Sequence, residues 1–414
     1  MTAAQKSDVP AETVTTDPKV RTPSLVALVL LLGVGPFATD TYIAALPQLQ
    51  ESLATSATVA QLTLTTFVVG LATGQLLLGP LSDAWGRRRL LLAGCALFVV
   101  LSVVCAVAPN GTVLVTARLL QGVVAGGGVA LARATVTDTH RGDRAAATFG
   151  LISSITFLSP VIAPAVGGVI LANGTWRTVF FALAGLGVVM FVAVLVGIRE
   201  TLPAHRRQPA GLRQTGLRMA DLARDWGFMR HVVLVCLATG GFFIYIGGSS
   251  FVLQTAFDVT PSTYTIVFAT NAAAMAGAGL LFRVLVLRVG AERLRVVGVA
   301  VSTAGALALL ATALLDPAVV PLALPWSLLC LVVGGMGFTM PATTALAQEA
   351  GRRSAGTAAA LQGGLSFLTG ALVTPVTGLL GYDTLLPMAA ATAVFFVAAA
   401  VLLYAVSRPR HRLP

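Results

Sequence analysis

Runs of about twenty apolar residues, broken by short loops rich in arginine, recur along the whole of this 414-residue sequence. A helix rises 1.5 Å per residue, so such a run matches the hydrocarbon thickness of a bilayer. In lipid, every backbone N–H and C=O must find a partner within the protein. A helix meets that demand residue by residue. The runs fall at 24–47, 57–79, 89–108, 112–134, 145–171 and 177–198. They resume near 231–254, 264–287, 294–315, 320–346, 355–379 and 384–407. The expectation is an all-α membrane protein with twelve transmembrane helices in two six-helix bundles, at 23–199 and 231–407, joined by a charged linker at 200–230. Polar tails would occupy 1–22, read as disordered, and 408–414. The first run has the look of a signal peptide, but its length and the eleven runs behind it predict a retained helix. Only 10% of the residues are charged, against about 25% in a soluble domain, so the chain lacks the surface to fold in water.

The basic residues orient the spans. Nearly all Lys and Arg fall in the tails and the even-numbered loops, whereas the loops at 109–111, 316–321 and 381–383 carry none. By the positive-inside rule both termini are cytoplasmic. The net charge of +11 therefore marks membrane orientation rather than a nucleic-acid partner. Lysine occurs only at Lys6 and Lys19, so no phosphate-binding loop of the ATPase kind is present. Cys95, Cys105, Cys236 and Cys330 lie in apolar stretches with no zinc spacing. His140, His205, His231 and His411 fall in or beside polar segments. In the linker, Leu212, Met219, Leu222 and Trp226 interleave with Arg213, Arg218 and Arg224. That pattern fits either a helix lying on the membrane surface or a solvated linker. The halves echo each other: Arg144, Ala146 and Thr148 recur 209 residues later as Arg353, Ala355 and Thr357.

The second and third spans are joined by Gly79-Pro80-Leu81-Ser82-Asp83-Ala84-Trp85-Gly86-Arg87-Arg88-Arg89. A positive-inside anchor explains the arginines but not the acid and two glycines. Asp83 is suited to a helix N-terminus or an arginine, and the glycines to close approach of helix ends. The segment resembles the signature loop of the major facilitator superfamily. The resemblance implies that Gly79, Asp83, Gly86, Arg87 and Arg88 latch the two halves together on the cytoplasmic side. The equivalent loop in the second half keeps Arg288, Gly290 and Arg293 but has no acid where the pattern would put one, so a second latch is expected to be weaker.

The fourth span carries Arg118-Leu119-Leu120-Gln121-Gly122, which resembles a superfamily motif linked to proton transfer. An arginine in a membrane helix is costly and marks a functional site by default, the alternative being one that snorkels outward. Gly122 and Gly126 form a small-residue face for packing. In the fifth span, Gly150, Ser159, Pro164, Gly167 and Gly168 resemble the superfamily's antiporter motif, with Ser159 and Ala163 in place of two glycines. Pro164 is expected to permit a bend. Asp40 is the one carboxylate placed well inside a span. An ionised aspartate in hydrocarbon is expensive, which makes Asp40 a candidate to take a proton from outside and release it inside. At a similar depth to Arg118, it is expected to pair with that residue or with a cationic substrate. A purely structural ion pair is the alternative.

Thr39-Asp40-Thr41-Tyr42 with Leu46-Pro47, Tyr245 with 250–254, 268–272 around Asn271, and 356–361 resemble the drug:proton antiporters of the Bcr/CflA type, over about residues 24–405. The resemblance implies a proton-coupled antiporter that exports small amphipathic drugs, phenicol-type antibiotics among them, by alternating access. Such a protein is a monomer in the bacterial cytoplasmic (inner) membrane, has no cofactor and draws on the proton gradient. Its partners are the drug, protons and the lipid bilayer. A second acid that some relatives carry earlier in span one is absent from 31–34. The implied cavity is lined by spans one, four, seven and ten, with contributions from five, eight and eleven, and its candidates are Tyr42, Gln121, Phe157, Tyr245, Asn271 and Gln362. A metabolite exporter or an uptake symporter is the nearest alternative. A membrane-embedded enzyme would need a nucleophile, metal-ligand or paired-acid cluster inside its spans, which the sequence does not offer.

Overall fold

The computed structural model describes residues 23–43, 45–207, 212–315, 320–380 and 384–407. The tails expected at 1–22 and 408–414 lie outside the described residues. In the first half of the chain the helices are α1 (Leu25–Ile43), α2 (Leu46–Ser52), α3 (Ala57–Trp85), α4 (Arg87–Ala106), α5 (Gly111–Thr139), α6 (Gly142–Thr156), α7 (Ser159–Ala172) and α8 (Trp176–Gly197). In the second half they are α9 (Leu212–Arg224), α10 (Trp226–Ala256), α11 (Pro261–Val289), α12 (Ala291–Ala313), α13 (Ala323–Ala350), α14 (Ala355–Leu380) and α15 (Leu386–Ser407). Ten helices among the described residues are long and apolar enough to cross a membrane.

Local chemistry sets the helix ends. Side-chain oxygens of Ser56, Asn110 and Thr260 accept from the backbone N–H three residues on, and so cap α3, α5 and α11. The turns between α3 and α4 and between α11 and α12 are single glycines, Gly86 and Gly290, at φ 93° and 88°. A side chain at either site would be strained, and the repeated turn extends the internal echo of the two halves.

The expected fifth span is broken. α6 ends at Thr156 and α7 begins at Ser159. Pro160 has no N–H to bond the carbonyl four residues back, so the helix parts there rather than at Pro164, which sits inside α7. The linker region is also helical. On α9, Met219 and Leu222 pack against Phe228, Val232, Ala358 and Leu361, so its apolar side meets the protein.

Glycine faces set the tightest helix contact. Gly70 and Gly74 on α3 press against the backbone of α5 at Leu119 and Val123. Gly122 and Gly126 on α5 press against the carbonyls of Phe67 and Leu71 on α3. The two helices therefore touch backbone to backbone. One apolar core gathers around α1, α3, α4, α5, α6 and α8 and takes in Phe282, Val286, Leu294 and Ala345 of the second half, and another gathers around α10, α11, α12, α13 and α15.

The helix ends carrying Gly86, His140, Gly197, Gly290 and Gly351 lie together. This end holds Arg87, Arg88, Arg141, Arg144, Arg293 and Arg352 and is called the basic end below.

A Cβ at Gly122 would strike the Phe67 carbonyl, which belongs to backbone and cannot swing away. Gly122→Ala is expected to cost about 1–3 kcal/mol, read as a lowered melting temperature of the purified protein in detergent. Gly168→Ala is the matched control, because a Cβ there meets nothing within 4 Å. Equal melting temperatures for the two variants would contradict the backbone-to-backbone contact.

Candidate functional site

Asp83 sits at the end of α3, where α3 crosses the first turn of α14. It is 2% exposed. The first turn of a helix has N–H groups without intrahelical partners, and a carboxylate is favoured there. Asp83 Oδ1 accepts from the Gly356 N–H at 3.0 Å. Its Oδ2 accepts from the Thr357 N–H and from the Thr357 hydroxyl, each at 3.0 Å. Arg87 Nη2 donates to Oδ1 at 2.7 Å, and Arg87 Nε donates to Asp138 Oδ2 at 3.1 Å. Arg87 also donates to the Ser82 hydroxyl. Gly79 and Gly356 face each other across the crossing, where a side chain on either would collide with the other's carbonyl. Arg88 turns away and caps α8, donating to the carbonyls of Ile198 at 2.9 Å and Leu195 at 3.0 Å. At Gly86 a Cβ would come within 2.6 Å of Glu200, whose carboxylate accepts from the Arg87 N–H at 2.9 Å.

The second-half loop has no acid at the position equivalent to Asp83, and its Glu292 pairs with Arg295 at 2.7 Å, yet its helix is capped from elsewhere. Asp143, in the first turn of α6, accepts from the Ala291 N–H at 2.9 Å. The acid that serves this helix comes from the other half of the chain. The signal was present in Gly142-Asp143, a positive-φ glycine followed by an acid, but nothing local names its distant partner. Arg352 adds a third tie, donating to the His140 carbonyl at 3.0 Å. Burial, with Arg144 nearby, holds the His140 imidazole below the usual histidine range. His231 is not peripheral. It lies buried in α10 and its Nδ1 accepts from Arg295 at 2.8 Å.

A cavity of about 210 Å³ lies between the halves, lined by α1, α3, α5, α6, α10, α11, α13 and α14. Phe157, at the break between α6 and α7, and Gln362 line it. The Gln362 amide accepts from Gln348 at 2.8 Å and donates to Thr344 at 2.9 Å. Gln348 also lies 3.4 Å from the Thr137 hydroxyl, so polar side chains from both halves sit on the basic side of the cavity. The other four cavity candidates are placed elsewhere. Tyr42 and Gln121 are fully buried within the first half. Tyr245 and Asn271 are buried within the second. Asn271 donates to the Tyr245 hydroxyl at 2.9 Å and accepts from the Cys330 thiol at 2.7 Å.

Arg118 is also enclosed. It donates to the carbonyls of Ala38 at 3.2 Å and Thr63 at 3.3 Å, and to Gln121 Oε1 at 2.8 Å. Its guanidinium lies 4.1 Å from the Phe67 ring centroid and 5.1 Å from that of Tyr42. Gln121 passes the network on to Ser102 at 2.7 Å. Asp40 is not its partner: it is half-buried and receives a 2.9 Å hydrogen bond from Thr39. The expected ion pair is thus replaced by an arginine satisfied by carbonyls, an amide and aromatic faces. Asp40 lies four residues beyond Pro36, which lines the cavity with Leu32 and Gly35, so it continues that face of α1 by one turn.

In the fifth-span motif, Gly150 on α6 meets Phe282 and the Gly279 carbonyl of α11, and Gly167 meets the Thr41 backbone of α1. Gly168 and Pro164 are exposed on the outer face of α7. The cavity residues missed from sequence include Arg133, Phe242 and Phe243.

Residues 28–375 match the pattern that defines the Major Facilitator Superfamily. An uncharacterized MFS-type transporter of Bacillus subtilis, YdgK, is 34% identical over 91% of this chain and 93% of its own length. A bicyclomycin resistance protein homolog of Haemophilus influenzae is 26% identical over 88% of this chain and 91% of its own length. Multidrug resistance protein MdtL of Salmonella heidelberg is 29% identical over 59% of this chain and 61% of its own length. The fold is that of the transporter FucP in its outward conformation, at a TM-score of 0.75 with 14% identity, over 93% of this chain and 99% of that one. The protein is a multi-pass membrane protein related to multidrug-resistance transporters and is not an enzyme. The chain belongs to the major facilitator superfamily, and its activity is secondary transport of small molecules across the membrane.

Proposed function

We propose that this protein is a proton-coupled antiporter of the Bcr/CflA type that exports small amphipathic drugs from the bacterial cytoplasm by alternating access. Counting α6 with α7 as one crossing, and α14 as another, gives twelve spans with both termini cytoplasmic. The basic end is then the cytoplasmic one, in keeping with the arginine distribution. The observation that carries the reading is the cavity between the halves. It lies beyond the ties made by Asp83, Asp143 and Arg352 at the basic end, and Asp40 stands one turn along its α1 wall. A largely apolar, aromatic lining with few polar groups suits amphipathic substrates, phenicol-type compounds among them.

Asp40 has the chemistry of a proton carrier without an arginine beside it. The Thr39 hydroxyl lies 2.9 Å from both Asp40 Oδ1 and the Pro36 carbonyl. Ionised Asp40 accepts the hydroxyl hydrogen. Protonated Asp40 donates to the hydroxyl oxygen, which turns its own hydrogen to Pro36. Both states are satisfied by one rotation. Arg118 acts here as a positioning residue, tying α1 to α5 through the Ala38 carbonyl two residues before Asp40. Small residues such as Gly150 and Gly279 let α6 and α11 pack closely across the halves.

In everted membrane vesicles, concentrative uptake of a phenicol is expected to collapse on adding an uncoupler. One charge crossing 100 mV is worth about 2.3 kcal/mol, or roughly fiftyfold in accumulation. Asp40→Asn is expected to lose that concentrative step while keeping down-gradient exchange. Uncoupler-insensitive accumulation, or an unimpaired Asp40→Asn protein, would refute the coupling assignment. For the latch, Asp83→Asn removes the charge shared by Arg87 and the α14 N-terminus. In a cysteine-free background carrying Ser366→Cys in the cavity, it is expected to raise labelling from the basic end by about tenfold or more. Unchanged labelling would refute the latch assignment.

A further inference from the structure

Two arginines lie within α5, and they differ in how they are satisfied. Arg118 is enclosed by carbonyls, an amide and rings, as described above. Arg133 is half-buried and lines the cavity. Among the described residues its hydrogen bonding consists of one 3.5 Å contact from Nη1 to Gln75 Oε1, at the outer limit for such a bond. Its guanidinium carries five donors. No acid stands among the residues that line the cavity, where Arg133 is the one charged side chain. The neighbouring amides do not compensate it, because Gln362 and Gln348 are engaged with each other and with Thr344.

The fold makes room for this charge. Gly363 on α14 faces it, and a Cβ there would collide with Gln75 Oε1 and stand 2.7 Å from Arg133 Nη1. The cavity wall beyond Arg133 is aromatic and sulfur-rich, with Phe157, Phe242, Phe243, Met275 and Met336. A cation in a mostly apolar cavity with no acid among the lining residues favours an anion or a strong acceptor. The surrounding rings and thioethers demand an apolar body beside it.

We infer that the cavity takes an amphipathic organic acid, with its carboxylate on the Arg133 guanidinium and its aromatic body against Phe157, Phe242 and Phe243. This rests on the carrier reading above and narrows its substrate class. It also gives the transport a distinct charge balance. One monoanion leaving against one entering proton moves two charges, so the membrane potential itself drives export, whereas a neutral compound moves one.

The test uses the full-length protein in detergent and one aromatic skeleton in three charge forms: 1-naphthoate, 1-naphthamide and 1-naphthylmethylamine. Titration calorimetry is expected to show naphthoate binding to the wild type at least about tenfold more tightly than the amide or the amine. Arg133→Gln is expected to erase that preference and Arg133→Lys to retain part of it. The wild-type comparison needs no variant and stands even where Arg133→Gln fails to fold. Equal binding of all three probes, no binding of any, or a preference that survives in folded Arg133→Gln overturns the inference. Flux of the same probes in proteoliposomes separates this from the carrier reading. Transport of the amide or amine but not of naphthoate overturns the anion site and leaves the carrier intact. Selective binding of naphthoate with no flux of any probe supports the site and overturns the carrier reading.

Discussion

One carboxylate, Asp83, answers two electrostatic demands at once. It neutralises Arg87, which is buried at the start of α4, and it caps the first turn of α14. Asp138 shares the first demand, accepting from Arg87 Nε at 3.1 Å, but the cap on α14 comes from Asp83. A buried guanidinium without an acid is costly, and so are exposed helix N–H groups in a dry crossing. Because α3 belongs to the first half and α14 to the second, satisfying both fixes the position of one half against the other. The Gly79–Gly356 contact allows the helices close enough for it. The two helices stay in contact further along, at Gly363 and Gly364 against Gln75 and Leu76, and the cavity lies beside this seam, lined by Leu71, Gln362 and Phe367.

The same accounting separates the two arginines of α5. Arg118 has acceptors on α1, α3 and α5 and three rings around it, so its charge is spent on holding the first half together. Arg133, four turns further along the same helix, has little to bind within the protein. A membrane arginine that the protein satisfies is a fastener. One left open to a cavity is a receptor for what enters it.

This distinction marks the limit of what the sequence discloses. Hydropathy identifies which residues lie in membrane, and the helices at 57–85 and 111–139 lie where the apolar runs place them. Helix phase is harder to read. Lipid-facing and core-facing residues are both apolar, so no periodic stripe shows which side meets the cavity. Polar residues in spans then read alike whether they line a cavity or are bonded inside a bundle. That is why Tyr42, Gln121, Tyr245 and Asn271 were legible as special yet not as buried, and why Asp40 and Arg118 looked like partners. The Gly79–Arg88 segment was more transparent because its chemistry is local: Asp83 and Arg87 are one helical turn apart in number. Its distant partner, the α14 N-terminus, was legible only as an unspecified helix end. The tie from Asp143 to α12 joins residues 148 positions apart and left no local pattern.

The ties at the basic end share a property that bears on how such an end opens. Asp83 and Asp143 both reach from the first half to helix N-termini of the second, and Arg352 reaches back to the carbonyl that ends α5. Charge-to-terminus bonds need little shape matching, and water satisfies the same N–H and C=O groups when the helices part. Interdigitated apolar side chains have no such substitute. Beside these bonds the halves also pack: Ala146 and Phe149 of the first share an apolar cluster with Phe282, Val286 and Leu294 of the second, and Gly79 meets Gly356, while the glycine-lined α3–α5 contact lies inside the first half. Opening that end asks both for the charge-to-terminus bonds to be exchanged for water and for these contacts between the halves to part, with the α3–α5 contact kept whole.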